Sequence, residues 1–305
     1  MLKRANHIFK NLKEGTLRDR MLQKFSYWKK ELCKFRWNQM KKQRSYLDKE
    51  IEQDIRVRLY FDSILSELIY CDDFERSERE FIKSYLKNGD CFIDVGANIG
   101  LFSLIAANTV GPEGKVYGFE PSRKIFQRYL DNININDLSN IFPHRVALSN
   151  EENEKVFYNV NDGYDAWSSL ACPSSEKKFQ CETVICQTWD NFARKEMLIG
   201  KPDLMKIDIE GWENIFIKGA WGSLSRDDAP ALLIEFSDTM AENAGQSCRD
   251  LYLNLVSLGY KIYRYNWKTN QITNETLRQN YPYDNLICVK NENLLLNRLC
   301  SSKIH

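Results

Sequence analysis

The sequence predicts an α/β fold, an open sheet of mostly parallel strands covered by helices, preceded by a helical N-terminal extension. Two observations predict it. From about Asp90 onward, short apolar runs alternate with amphipathic segments, the pattern of a parallel sheet wrapped by helices. Before that, from His7 to about Tyr70, there is no proline and a single glycine, Gly15, while Leu17, Met21, Leu22, Phe25, Trp28, Leu32 and Phe35 recur at helical spacing. A chain of 305 residues holds one large domain and an appendage. We place a basic helical region at 1–75, the main domain at 76–292 and a C-terminal tail at 293–305.

In chain order, strands are expected at Cys91 to Val95, Lys115 to Phe119, Phe142 to Leu148, Leu204 to Ile209, Ala231 to Phe236, Lys261 to Tyr265 and Leu286 to Val289. Helices fit between them at Ile99 to Asn108, Arg123 to Asn134, Trp212 to Lys218 and Cys248 to Leu258. A stretch from Glu154 to Val184 interrupts the alternation, with Lys155 to Val160 and Thr183 to Gln187 readable as added strands. Insertions of this kind tend to sit over a binding site.

The formal net charge of +1 hides an asymmetry, because Lys and Arg exceed Asp and Glu by about ten in residues 1–50. The N-terminal helices therefore present the face for a partner or an anionic surface, while their apolar stripe is expected to pack on the main domain. The nine cysteines include no CxxC pair, and Cys181 and Cys186 have no second pair to complete a zinc site. We read them as reduced thiols of a cytoplasmic protein. No integral membrane segment or signal peptide is expected, since no apolar run has the necessary length.

The motif with most chemistry in it is Asp94-Val-Gly96-Ala97-Asn98-Ile-Gly100, which follows an apolar strand and opens a helix. Glycines let a backbone approach a ligand closely, and a helix start offers N–H groups to an anionic group. The spacing is GxxxG, not the GxGxxG of dinucleotide sites. Glu120 ends the next strand at the same sheet edge, placed to accept hydrogen bonds from a ribose diol, with Pro121 stopping the strand behind it. Turn glycines and a ribose carboxylate together imply a nucleoside ligand.

A third motif, Lys206-Ile-Asp208-Ile-Glu210-Gly-Trp212-Glu213, puts two acids on one side of a strand end. Asp208 and Glu210 are candidates for a general base or for holding a hard cation through oxygen, with Glu235 a third carboxylate at the same rim.

These residues resemble the FkbM-type methyltransferases, a branch of the class I S-adenosylmethionine-dependent enzymes. The resemblance runs from about Asp90 to Glu235 and rests on several motifs in order. Besides the three above, they are Asn132 to Asn136, Val146-Ala-Leu-Ser149, Ser168-Ser-Leu170, Lys218-Gly-Ala220 and Leu232 to Glu235. It implies a Rossmann-like sheet of seven strands, the last antiparallel. It further implies S-adenosyl-L-methionine as cofactor, with its methionine part at Asp94, Gly96, Ala97, Asn98 and Gly100. The ribose would then lie at Glu120 and the adenine near Ala147. Members of the family mostly methylate hydroxyl oxygens on sugars, glycans or natural products. Trp212 departs from the pattern, standing where many members carry a small residue.

On this reading the acceptor hydroxyl loses its proton to Asp208 or Glu210, or else Mg²⁺ held by Asp208, Glu210 and Glu235 lowers its pKa. Gly163, Tyr164, Trp167, Ser168 and Ser169 of the insertion, with Trp212, are candidates for the acceptor wall. His144, inside an expected strand, reads as structural. The competing readings are a dinucleotide oxidoreductase, an RNA or protein methyltransferase using the basic helices, and a non-catalytic nucleoside-binding protein. The missing GxGxxG speaks against the first, nucleic acid is not the expected partner, and the intact glycines and acids speak against the last.

Overall fold

The computed structural model describes residues 17–72, 74–160, 168–171 and 179–301. The chain divides into two compact units, Met1–Ser45 and Tyr46–His305. In the first, α1 spans Leu17–Met40. Trp28, Leu32 and Phe35, expected to be buried as part of the apolar stripe, are exposed.

The second unit opens differently from the expectation of helix up to Tyr70. Strands β1 (Tyr46–Glu52) and β2 (Ile55–Tyr60) form an antiparallel hairpin, and only then does α2 (Ile64–Tyr70) begin. The physical reason is visible in Ile55-Arg-Val-Arg-Leu-Tyr60, which alternates with period two and buries Ile55, Val57 and Leu59 on one face. Asp54 turns the corner at φ 63, which makes a Gly-free turn. The absence of proline and glycine was therefore no evidence for helix here. Helix α3 (Arg76–Tyr85) leads into the main sheet.

That sheet contains β3 (Cys91–Val95), β4 (Lys115–Phe119), β5 (Ile141–His144), β9 (Leu204–Ile207), β10 (Ala231–Phe236), β11 (Lys261–Asn266), β12 (Gln271–Asn274) and β13 (Asp284–Val289). Its order is β12-β11-β13-β10-β9-β3-β4-β5. Pairing is parallel from β5 to β10, and the last strand, β13, is antiparallel to both its neighbours. This is the expected seven-stranded sheet, extended at its edge by the short β12. The connecting helices are α4 (Leu101–Val110), α5 (Arg123–Asn134), α6 (Trp189–Lys195), α7 (Glu213–Gly219), α8 (Trp221–Leu224), α9 (Asp238–Asn243) and α10 (Cys248–Ser257). The end of the chain, expected as a tail, carries α11 (Glu292–Ser301), which buries Leu295 and Leu299.

The strand expected from Phe142 to Leu148 is broken after His144. Its second half is β6 (Ala147–Ser149), which joins a separate three-stranded sheet with β7 (Asn153–Val160) and β8 (Phe179–Thr188) in the order β6-β8-β7. The insertion is thus a small sheet of its own. Among the described residues no helix is long and apolar enough to cross a membrane, and no disulfide joins the described cysteines.

Central parallel strands read as continuous apolar runs because both faces are covered. Val95 pairs with Phe119 on one side and Ile207 on the other, so β3, β4 and β9 end level at one edge. There Asp208 N–H donates to the Val95 carbonyl at 3.1 Å, and the two motif loops touch. Gly96, at φ +84, sits where a Cβ would lie 1.9 Å from the Asp208 carbonyl oxygen. Gly96→Ala is therefore expected to cost more than the roughly 1–2 kcal/mol of left-handed backbone alone. Denaturant unfolding checks this, and a loss below about 0.5 kcal/mol would show that the loops can part freely.

Candidate active site

A cavity of about 610 Å³ opens at the carboxyl ends of β3, β4, β9 and β10, the place where open α/β sheets bind ligands. Its size falls within the roughly 300–1,000 Å³ usual for small-molecule sites. Gly96, Ala97, Asn98, Glu120, Pro121 and Ala147 line it, as do Ser168, Asp208, Glu210, Trp212 and Glu235. One cavity thus gathers residues from the glycine turn, the Glu120 strand end, the Val146-to-Ser149 and Ser168-to-Leu170 stretches and the acidic loop, whereas none of Asn132 to Asn136 or Lys218 to Ala220 lines it.

The glycine turn behaves differently from a bare anion cradle. Gly96 and Ala97 N–H both donate to the Phe119 carbonyl, Gly100 N–H to the Ala97 carbonyl, Asn98 N–H to Glu120 and Ile99 N–H to the Asn98 side chain. These amides are spent within the protein, and the turn shapes the floor of the cavity instead. Asp94 and Gly100 support that floor from behind. Asp94 is fully buried, accepts a hydrogen bond from Ser103 Oγ at 2.6 Å, and is driven upward in pKa by burial. Gly100 gives room to Tyr129, whose ring lies 2.2 Å from where a Cβ would stand.

Glu120 Oε2 accepts from Asn98 N at 3.1 Å and Oε1 from Ser122 N at 2.8 Å. These two bonds orient the carboxylate at the cavity wall. Apolar walls at Ile125, Val146, Leu148 and Phe157 adjoin it. An oriented carboxylate thus stands beside an apolar stretch of the cavity wall.

At the other end, ligand oxygens of Asp208, Glu210 and Glu235 all lie within 4.8 Å of one another. Lys206, from the middle of the apolar strand β9, is 2% exposed and meets Asp208 Oδ2 at 2.7 Å, with its ammonium 4.4 Å from the Phe102 ring centre. Burial works against its charge, but Asp208, Glu75 and Asp94 overcome this and hold the ammonium above its ordinary pKa. Glu210 and Glu235 lack such a partner. Burial, then the neighbouring Asp208 for the first and Glu210 for the second, pushes both well above the usual carboxylate range. Glu210 occupies the left-handed region at φ 55, and Glu213 folds back to accept from Ile209 N at 2.9 Å and Gly211 N at 3.2 Å. Glu213 is the clasp of the acidic loop.

The remaining candidates divide. Ser168 lines the cavity while its Oγ accepts from Val160 N at 3.1 Å. Ser169 Oγ instead donates to the Glu210 carbonyl at 3.0 Å, tying the insertion to the acidic loop. Trp212 lines the cavity, with its Nε1 donating to Ser149 Oγ at 3.1 Å. Gly163, Tyr164 and Trp167 lie outside the described residues. His144 is stacked against Phe119 at 5.2 Å between ring centres, away from the cavity, and burial lowers its pKa.

Three contributors were not singled out from the sequence. The role of Lys206 had a signal, a charged residue inside an apolar run, which has to be paired when buried. Glu75 and Tyr283, which also line the cavity, had none, because each stands in a polar stretch without periodicity.

Comparison with known proteins agrees with this geometry. Residues 94–262 match the Methyltransferase FkbM domain, more than half of the chain. No curated protein matches it in sequence. Among solved structures it is similar to M. jannaschii TYW2 in complex with AdoMet, at 12% identity and TM-score 0.42, over 81% of this chain and 85% of that one. It is similar to an rRNA methylase from Streptococcus thermophilus at 10% identity and TM-score 0.39, over 70% and 96%. A SAM-dependent O-methyltransferase from Thermotoga maritima follows at 13% identity and TM-score 0.38, over 70% and 63%. Likeness at this level carries no argument about substrate. The match over 94–262, on a sheet and cavity of this design, means that the chain belongs to the FkbM family of S-adenosylmethionine-dependent methyltransferases.

Proposed function

We propose that this protein methylates a hydroxyl oxygen of a sugar, glycan or natural-product acceptor, with Asp208 as the base. The observation that carries the reading is the placement of Asp208, Glu210 and Glu235 in the same cavity as Gly96, Asn98 and Glu120. When bound, S-adenosylmethionine supplies a methyl group already activated on a sulfonium. The protein's task is then to orient the acceptor oxygen, exclude water and take the hydroxyl proton.

Glu120 accepts from the ribose hydroxyls, and the slot of Val146, Ala147 and Leu148 takes the adenine. Asp208 is the carboxylate we assign as proton acceptor, because the Lys206 ammonium at 2.7 Å compensates its charge. Glu210 and Glu235, raised in pKa by burial, favour the protonated form and serve as hydrogen-bond partners. Bound beside Glu120 and the wall of Val146, Ala147 and Leu148, the cofactor would supply the methyl group to the acceptor oxygen, and Asp208 would take the hydroxyl proton. A positioned base is worth about 10²- to 10⁴-fold. Holding the reactants in line supplies much of the rest.

The oxygen donors of Asp208, Glu210 and Glu235 also suit Mg²⁺, which would act by lowering the pKa of the acceptor hydroxyl. The ion pair with Lys206 favours the base reading, since a cation already compensates Asp208.

Three outcomes are expected. Glu120→Ala weakens binding of S-adenosylhomocysteine by about tenfold to a hundredfold in calorimetry, the worth of one or two hydrogen bonds to a charged group. Unchanged affinity would remove Glu120 from the cofactor site. Asp208→Asn lowers kcat by about 10²- to 10⁴-fold with S-adenosylhomocysteine affinity nearly unchanged; a drop under about threefold would contradict its role. EDTA leaves kcat within about twofold, whereas a loss that Mg²⁺ restores would transfer the role to a metal on the three carboxylates. Methyl found on nitrogen, or on RNA or protein, would overturn the O-methyltransferase reading.

A further inference from the structure

The unit Met1–Ser45 carries a surface that the transferase chemistry does not use. On α1, Trp28, Leu32 and Phe35 follow one another at intervals of four and three residues, the repeat that sets side chains along one side of a helix. They are 65%, 50% and 59% exposed. Trp37, on the opposite side of the helix, is buried, so the exposed side is a defined one. Single apolar side chains on a surface need no explanation, whereas three large ones in a row on one helix face mark an interaction site.

The surrounding charge decides what covers this face. Residues 28–44 hold seven basic side chains, all exposed, against a single acid, Glu31. Two of them, Lys29 and Arg36, stand about a quarter turn from the apolar stripe by helical spacing and so border it directly. A second copy of this chain would bring the same cations against them, a like-charge juxtaposition that opposes pairing. A nucleic acid would neutralise the cations through its phosphates but gives Leu32 and Phe35 no apolar surroundings. The surface of an anionic bilayer meets both needs, since apolar side chains enter at the boundary of headgroups and acyl chains while Lys and Arg stay among the lipid phosphates. With 24 residues α1 has the length to span a bilayer, but no described helix is apolar enough to do so. Its composition is that of a helix lying in the interface plane.

We infer that α1 is a peripheral membrane anchor, which lays Trp28, Leu32 and Phe35 into a bilayer of anionic phospholipids and sets its basic side chains against the headgroups. The inference is independent of which acceptor is methylated.

The test is co-sedimentation of the full chain with vesicles of phosphatidylcholine alone or mixed with phosphatidylglycerol. The expected result is at least about tenfold tighter binding to the mixed vesicles, weakening as salt is raised. Leu32→Gln with Phe35→Gln keeps good helix formers at two exposed positions, and is expected to weaken binding to the mixed vesicles at least about tenfold with thermal unfolding unchanged. Lys29→Gln with Arg36→Gln is expected to weaken it about tenfold to thirtyfold, with little effect on the residual binding to phosphatidylcholine. Equal binding to both compositions, no sedimentation with either, or unchanged binding in the Leu32 and Phe35 variant would overturn the inference. So would salt-sensitive binding of a structured RNA in place of vesicles, or a dimer formed without lipid that the Leu32 and Phe35 variant abolishes.

Discussion

The buried ion pair between Lys206 and Asp208 is the constraint on which the site depends. Five carboxylates, Glu75, Glu120, Asp208, Glu210 and Glu235, line a single cavity, and Asp94 lies buried close behind. Gathering so many carboxyl groups away from water disfavours their charged forms, so Glu210 and Glu235 are pushed toward the protonated form and the charge that remains calls for a cation. Lys206 is that cation, reaching out of a strand whose other residues are apolar, with the Phe102 ring beneath its ammonium. The pair also anchors the acidic loop. Asp208 is gripped by its side chain through Lys206 and by its backbone through Val95, and its carbonyl fills the space left by Gly96. The glycine turn and the acidic loop are thereby held together.

Much of this was legible in the sequence, for a physical reason. Strands buried on both faces announce themselves as apolar runs, and residues at their carboxyl ends share an edge once the strands are parallel. That is why Gly96, Glu120, Asp208 and Glu235 were assembled from spacing alone and lie in one cavity. The glycine turn was read correctly as a close approach but not as to what approaches: the Asp208 carbonyl and the Tyr129 ring fill the spaces at Gly96 and Gly100. Which atom meets a glycine is a tertiary fact, invisible to a local pattern.

The N-terminal part was the least legible. Glycine and proline punctuate most turns, so their absence suggested one long helical region, yet Asp54 makes the turn of a hairpin at φ 63. That hairpin is tied down by residues whose purpose the motif did not reveal. Asn132 Oδ1 accepts from Arg58 N at 2.6 Å, and Asn136 Oδ1 from Arg56 N at 2.8 Å. Arg128, on α5 with Asn132, pairs with Asp62 at 2.6 Å. The hairpin and α2 thus pack against the main sheet's helices, and α2 lends Ile64, Leu65 and Leu68 to the cavity wall ahead of the family region. The acidic end of the cavity was foreseen with three carboxylates, and the fourth, Glu75, arrives through this long-range packing.

The most direct test of the account is a crystal structure of the full chain with S-adenosylhomocysteine bound. The expected result has the ribose hydroxyls on Glu120, the base against Val146, Ala147 and Leu148, and the sulfur facing Asp208 with the Lys206 ion pair intact. A nucleoside bound away from Glu120, or a sulfur turned from the acidic cluster, would contradict it.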